Sequence, residues 1–237
     1  MDLTDPLQRE KHRDSRFISK VFTEREQKQI TTADRPDLVL WSLWAAKETA
    51  YKALNKTHSH ISALPRYYTV RLQCGESDDR MTGIVETPRD PVCFTVFIYE
   101  SFVHCVGICG QNELPASVTH RVGTYHEITD DDRSRARDAA VSKRMRTLLR
   151  EEIAALLGYT TEEIAIVRRT GPTGLGPPIV VINKKKSTVD ISLSHDGNFF
   201  AYAFLCHDTP SGVSANRPSG LKDHPLIRHA EGHASTP

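Results

Sequence analysis

The chain has 237 residues, 38% of them hydrophobic, and a formal net charge of +1. That length accommodates one large domain or two small ones around a buried core. The near-neutral balance argues against a global electrostatic pull toward nucleic acid or a membrane surface, and no run approaches the roughly 18 apolar residues of a membrane-spanning helix.

Up to about Lys56 the chain reads as helical. VFTEREQKQI places Thr23 three residues before Glu26, the spacing of a capping box. Asp34 is the expected N-cap of the next helix, with Pro36 in its first turn. This helix runs through WSLWAAKETAYKAL, Trp41–Leu54, in which Glu48 and Lys52 lie four residues apart and share a face. Lys47 and Tyr51 flank the pair, and Trp41, Trp44 and Ala45 supply apolar surface around it. A carboxylate and an amine on one helical face can hold a divalent metal beside a phosphate. The same spacing also makes an ordinary surface ion pair.

Strands follow at RYYTVRLQC, PVCFTVFIYE and SFVHCVGICG, the last two apolar on both faces and hence central in a sheet. The chain turns polar from Gln111 to His120, and an internal boundary is placed there. Beyond it, Val141, Met145, Leu148, Leu149, Ile153, Leu156 and Leu157 recur at helical spacing, with Gly158 as the stop. Strands return at EIAIVRR, PPIVVIN, TVDISLS and NFFAYAFLC, and TGPTGLGPP is expected to be an irregular loop. NKKKST, with Lys184–Lys186, reads as a hairpin turn. After about His207 the sequence is rich in Pro, Ser, His and Gly without periodicity and is expected to be disordered. The expected organisation is therefore residues 1–112, 113–206 and a tail, 207–237. Each half reads as helix first and strands second, the pattern of an α+β fold or of a pseudo-duplication.

The five cysteines (Cys74, Cys93, Cys105, Cys109 and Cys206) are odd in number and scattered. They read as reduced, mostly buried thiols; with no apolar signal segment in MDLTDPLQREKHRDSR, the expected compartment is the cytoplasm. The basic run Arg133, Arg135, Arg137, Lys143, Arg144, Arg146 and Arg150 is interleaved with acids, as on a solvated helix face. A nucleic-acid binder built on that helix is disfavoured by the overall charge.

Three stretches together resemble the 4′-phosphopantetheinyl transferases. RFISKVFTEREQ, residues 16–27, is similar to the RF-x-x-R-V/I-F/L-T-x-x-E segment of the holo-acyl-carrier-protein synthase type. Trp44-Ala45-Ala46-Lys47-Glu48-Thr49-Ala50-Tyr51-Lys52 matches W-x-x-K-E-x-x-x-K, the strongest signature of that family. ISLSHDGNFFAYAF, residues 191–204, resembles its S-x-S-H-x-G/D strand–turn–strand. The resemblance covers roughly residues 1–206. It implies a fold of two pseudo-symmetric lobes, each with a helix or two on a small antiparallel sheet, in a monomer with the active site between the lobes. Here the Lys-Glu half precedes the Ser-His half, the reverse of the larger surfactin-synthetase-type members.

The resemblance also implies an activity, in which the phosphopantetheine arm of coenzyme A moves to a serine of an apo acyl or peptidyl carrier protein. By the same resemblance Glu48 is a Mg²⁺ ligand and base, Lys52 contacts the pyrophosphate and protonates the leaving group, and Lys47 supports it. His195 with Ser194 would hold a phosphate of coenzyme A, and Arg144, of the basic run, would meet either its 3′-phosphate or an acidic carrier protein. Asp196 and Gly197 are left as turn residues.

The chain departs from the pattern at two points. Relatives carry a metal-binding aspartate in a V-G-x-D-I/L run, whereas this chain begins MDLTDP, with Asp2 aligned to the acidic residue three positions beyond that aspartate. Three readings stand open. The natural start lies upstream, Asp2 or Asp5 substitutes as metal ligand, or the chain is a degenerate member that binds coenzyme A or carrier protein without turnover. Gly176-Pro177-Pro178 stands where relatives often have Gly-Lys/Arg-Pro, removing a cation.

Overall fold

The computed structural model describes residues 1–58, 61–73, 79–124, 134–171, 174–206 and 227–228. Cys74, Asp130–Asp132, Arg133 and most of the tail after His207 lie outside these residues, as do the side chains of Arg135 and Arg137. The fold is α+β with antiparallel sheets. By its internal contacts the chain divides into two units, Met1–Pro115 and Ala116–Pro237.

The first unit opens with α1 (Ser15–Val21), α2 (Glu24–Thr31) and α3 (Pro36–Thr57). Asp14 caps α1 by accepting from the Phe17 amide at 2.9 Å. The predicted capping box opens α2, with Thr23 and Glu26 each accepting from the other's amide. At α3 the cap differs from expectation. Pro36 is the first helical residue, but Arg35 rather than Asp34 is the N-cap, and it makes no side-chain cap bond. Asp37, inside the first turn, instead accepts from the Glu10 amide at 2.7 Å and pairs with His12 Nδ1 at 2.7 Å. An acidic side chain at the positive end of the helix thus ties down the amino-terminal segment.

Strands β1 (Thr69–Gln73), β2 (Arg80–Glu86), β3 (Val92–Ile98) and β4 (Val103–Cys109) form an antiparallel meander in the order β1-β2-β3-β4. β2 is a strand that the sequence pattern misses, because Gly83 interrupts its apolar alternation. That glycine sits opposite Phe94, and a Cβ there would meet the Phe94 ring at 2.8 Å and the Arg71 carbonyl oxygen at 2.3 Å. Helix α3 lies on the sheet and buries Leu43, Ala46, Ala50 and Leu54 in one core with Phe94, Val96 and Val103. Gly107 lets it approach: a Cβ there would fall 2.8 Å from the Cys93 carbonyl oxygen and 2.9 Å from Thr49 Cγ2 on α3.

The second unit contains β5 (Thr119–Thr124) and α4 (Ser134–Leu157), then β6 (Ile164–Gly171), β7 (Gly174–Ile182) and β8 (Lys185–Lys186). β9 (Asp190–Asp196), β10 (Phe199–Leu205) and β11 (Ile227–Arg228) complete it. One sheet runs β11-β5-β10-β9 and a second runs β6-β7-β8. Most of the apolar stripe of α4 is buried, with Met145, Leu149 and Ile153 packed among Ile191, Leu193, Tyr202 and Phe204, whereas Leu156 is exposed. Gly158, at φ 73°, ends the helix while the Tyr159 amide bonds back to the Ala154 carbonyl.

Three expectations change in this unit. The Gly/Pro-rich TGPTGLGPP stretch is mostly strand: Thr170 pairs with Leu175 and Gly171 with Gly174, after a register shift at Arg168. β5, a strand that the sequence pattern does not predict, begins at the end of the polar Gln111–His120 stretch, within which the two units divide. Of the tail, Ile227 and Arg228 pair with Gly123 and Val122 of β5. The expected turn at NKKKST is present, with Asn183 and Lys184 at φ 48° and 65°.

Two measurements follow from this packing. Gly107→Val drives side-chain atoms into a strand carbonyl and α3, and should lower unfolding stability by about 1–3 kcal/mol in urea titrations. Burial alone would raise the Asp37 carboxyl; hydrogen bonds from the His12 ring and from the His12 and Glu10 amides outweigh it and hold it below its ordinary 3.8. Its contribution is therefore full above that value and is lost as pH falls through the depressed one. Acid titration of stability should be shallower in Asp37→Asn than in the parent chain.

Candidate functional site

Lys47 faces inward and is only 2% exposed. Its Nζ lies 2.9 Å from Glu26 Oε1 and 3.2 Å from the Pro65 carbonyl, and it also donates to the Tyr68 carbonyl. Glu26, wholly buried, also accepts from the Thr23 amide through Oε2 and from the Val70 amide through Oε1, each at 2.8 Å. One carboxylate thus closes the cap of α2, neutralises α3 and holds the start of β1. Burial pulls the Lys47 pKa down, against the opposing charge of Glu26. Sequence reasoning read Glu26 only as a capping residue; the apolar surroundings of both charged positions were the signal for their pairing.

With Lys47 committed to the core, helical geometry turns Glu48 and Lys52 onto the neighbouring face, and both are half-buried. Among the described residues no hydrogen bond or ion pair engages the Glu48 carboxylate. Lys52 lies near Cys105 on β4. Burial pushes that thiol up to about 12, against the pull of the Thr49 hydroxyl, the chain's amino group and Lys52.

The first residues run along this side of β4. The Met1 amino group donates to the Val103 carbonyl at 2.9 Å, and Asp2 forms a β-bridge with Phe102. The structure therefore brings Lys52 and the amino terminus to one neighbourhood. Asp2 itself is 2% exposed, and its Oδ1 accepts from the Thr4 amide and hydroxyl at 2.8 and 2.6 Å. Asp5 is a cap, accepting from the Leu7 amide at 2.9 Å.

Mg²⁺ takes one or two carboxylates and completes its shell with water and phosphate oxygens. Glu48 suits that use. Asp2 is buried and hydrogen-bonded by Thr4, and among the described residues no three His, Cys, Asp or Glu converge.

In the second unit, β9 buries Ile191 and Leu193 on the face that also carries His195 by alternation. Ser194 projects to the opposite face, so the adjacent pair is separated by the pleat. His195 lies 3.7 Å from Asp138 of α4 through Nε2 and Oδ1, and its side chain is 43% exposed. Arg144 is half-buried on α4 and, among the described residues, has no hydrogen-bonding or ionic partner. Gly197, at φ 54°, makes the tight turn between Asp196 and Phe199. The sequence also missed Arg121 on β5, whose Nε donates to Glu152 of α4 at 3.1 Å.

Removing one member of the Lys47–Glu26 pair leaves a buried charge alone. Glu26→Ala should therefore cost about 3–5 kcal/mol in chemical denaturation. Equal denaturation curves for Glu26→Ala and the parent would show that the pair does not support the fold.

Residues 1–77, which contain Glu26, Lys47, Glu48 and Lys52, match the family described as the 4′-phosphopantetheinyl transferase superfamily. The Ser-His strand and turn lie outside the matched residues. No curated protein and no solved structure gives a significant match to the chain. The similarity to the 4′-phosphopantetheinyl transferase superfamily thus lies in the first 77 residues, which include both the RF…TxxE and the WxxKExxxK segments.

Proposed function

We propose that the protein transfers the 4′-phosphopantetheine arm of coenzyme A to a serine of an apo acyl or peptidyl carrier protein, releasing 3′,5′-ADP. The observation that carries this reading is α3. Lys47 is locked into the core, and the next residue, Glu48, shares an accessible face with Lys52 one turn on.

The serine oxygen attacks the phosphorus that bears the pantetheine. A new P–O bond forms, the bond to the bridging oxygen of 3′,5′-ADP breaks, and the serine proton must leave. Glu48 receives that proton, and Lys52 donates toward the departing phosphate oxygen. Mg²⁺, when bound through Glu48, would offset negative charge on the pyrophosphate. Lys47 acts by holding the helix rather than by touching substrate. His195 and Arg144 supply cationic or hydrogen-bonding groups for coenzyme A phosphates; Ser194, on the other face of β9, serves a different contact. On the same reading the protein is a cytoplasmic monomer. No helix among the described residues is long and apolar enough to cross a membrane.

The burial of Asp2 favours a second reading, a member that binds coenzyme A or carrier protein without turnover. Labelling of an apo carrier protein by a fluorescent coenzyme A analogue with Mg²⁺ separates the two. The parent chain should label it, and Glu48→Ala and Lys52→Ala should each be slower by at least about 100-fold. Undiminished labelling by both variants sinks the site. Calorimetric binding of coenzyme A with no labelling by the parent chain selects the second reading.

A further inference from the structure

Near the C-terminal end of α3, the first unit contains a cleft of about 340 Å³. Leu54 at the end of α3, Ile61, Tyr67, Tyr68 and Pro88 form its apolar walls, with Ser62 and Arg89 as the polar members. Its size falls at the lower end of small-ligand sites, which span about 300–1,000 Å³. That suits a single chain or ring better than a whole nucleotide.

The rim is apolar and open. Tyr67 is 54% exposed, and Leu64, three residues earlier, is 56% exposed. Such neighbouring exposure of large apolar side chains marks a surface that a ligand can cover. The wall behind is fixed, because the Tyr68 hydroxyl donates to the Ser62 carbonyl at 2.6 Å and its ring meets Tyr51 edge-on.

Charge sets the ligand's class. Arg89 is exposed, and among the described residues its guanidinium has no hydrogen-bonding or ionic partner. Among the described residues no acidic side chain lines the cleft. The acids beside the turn are already engaged: Asp90 with His58 at 3.1 Å, and Glu86 with Arg71. An apolar slot with one uncompensated cation at its mouth complements an aliphatic chain that ends in an anion.

We propose that this cleft binds a free aliphatic carboxylate of medium length, with the chain between Leu54, Ile61 and Tyr67 and the carboxylate on Arg89. It goes beyond the transfer reading, which assigns no role to Ile61 or Arg89.

The test is a titration of the isotope-labelled full chain with octanoate, followed by amide shifts. Saturable shifts should centre on Ile61, Tyr67 and Arg89. Arg89→Glu should weaken binding by about tenfold or more, and Ile61→Trp, which fills the slot, should abolish it. Tyr67→Ala, an exposed change that spares the core, serves if Ile61→Trp does not fold. Neutral octanol should bind more weakly and be indifferent to Arg89→Glu.

Scattered, non-saturating shifts, or octanoate binding unchanged in Arg89→Glu, would overturn the proposal. So would retention on anionic phosphatidylglycerol vesicles that octanoate fails to compete, since the partner would then be a lipid surface. Both variants should still label carrier protein, so failure here is distinguishable from failure of the transfer reading.

Discussion

The buried ion pair between Lys47 and Glu26 is the constraint on which the first unit depends. An ammonium with almost no access to water is tolerable only if its charge and its hydrogens are answered. Glu26 and the carbonyls of Pro65 and Tyr68 answer them. These partners come from α2, the turn before β1 and the first residue after that turn. A single side chain therefore fixes the rotation of α3 about its own axis. Once that rotation is set, the direction of Glu48 and Lys52 is no longer free. The pair is better understood as a device for orientation than as a source of stability, since two apolar residues of similar volume could pack the same space.

Much of the first unit was legible in the sequence because its signals are local. The Thr23–Glu26 cap needs only three-residue spacing, and the long helix announces itself through its apolar stripe and Pro36. Strands β3 and β4 are apolar enough to be read without partners. What escaped is what depends on pairing. β2 owes its place to two neighbours rather than to its own pattern, and the hairpin through Gly171 and Gly174 is held by register against a composition that suggests a loop. α3 starts one residue later than its local signals suggest, with Arg35 at the cap, and the acid of its first turn, Asp37, is engaged by Glu10 and His12 from a distant stretch of chain.

The candidate site divides in the same way. Glu48 and Lys52 could be placed on one face by counting residues, and the structure keeps them there. The inward direction of Lys47 could not be counted out, because it depends on an acid 21 positions away in sequence. Nor could the separation of Ser194 from His195 be seen in the motif, where they are adjacent. Strand pleating sends neighbours to opposite faces, so a contiguous motif on a strand is two half-motifs in space. A helical motif keeps its spacing, and a strand motif does not.

Glycine and phenylalanine face one another across both larger sheets, Gly83 with Phe94 and Gly123 with Phe200. In each case the ring occupies the volume that a side chain on the glycine would need. The consequence reaches beyond present stability to inheritance. Neither member of a pair can drift alone, because enlarging the glycine strands the ring and shrinking the ring leaves a hole over bare backbone. Each pair is thus a two-residue unit of variation, expected to be exchanged together among descendants of this chain.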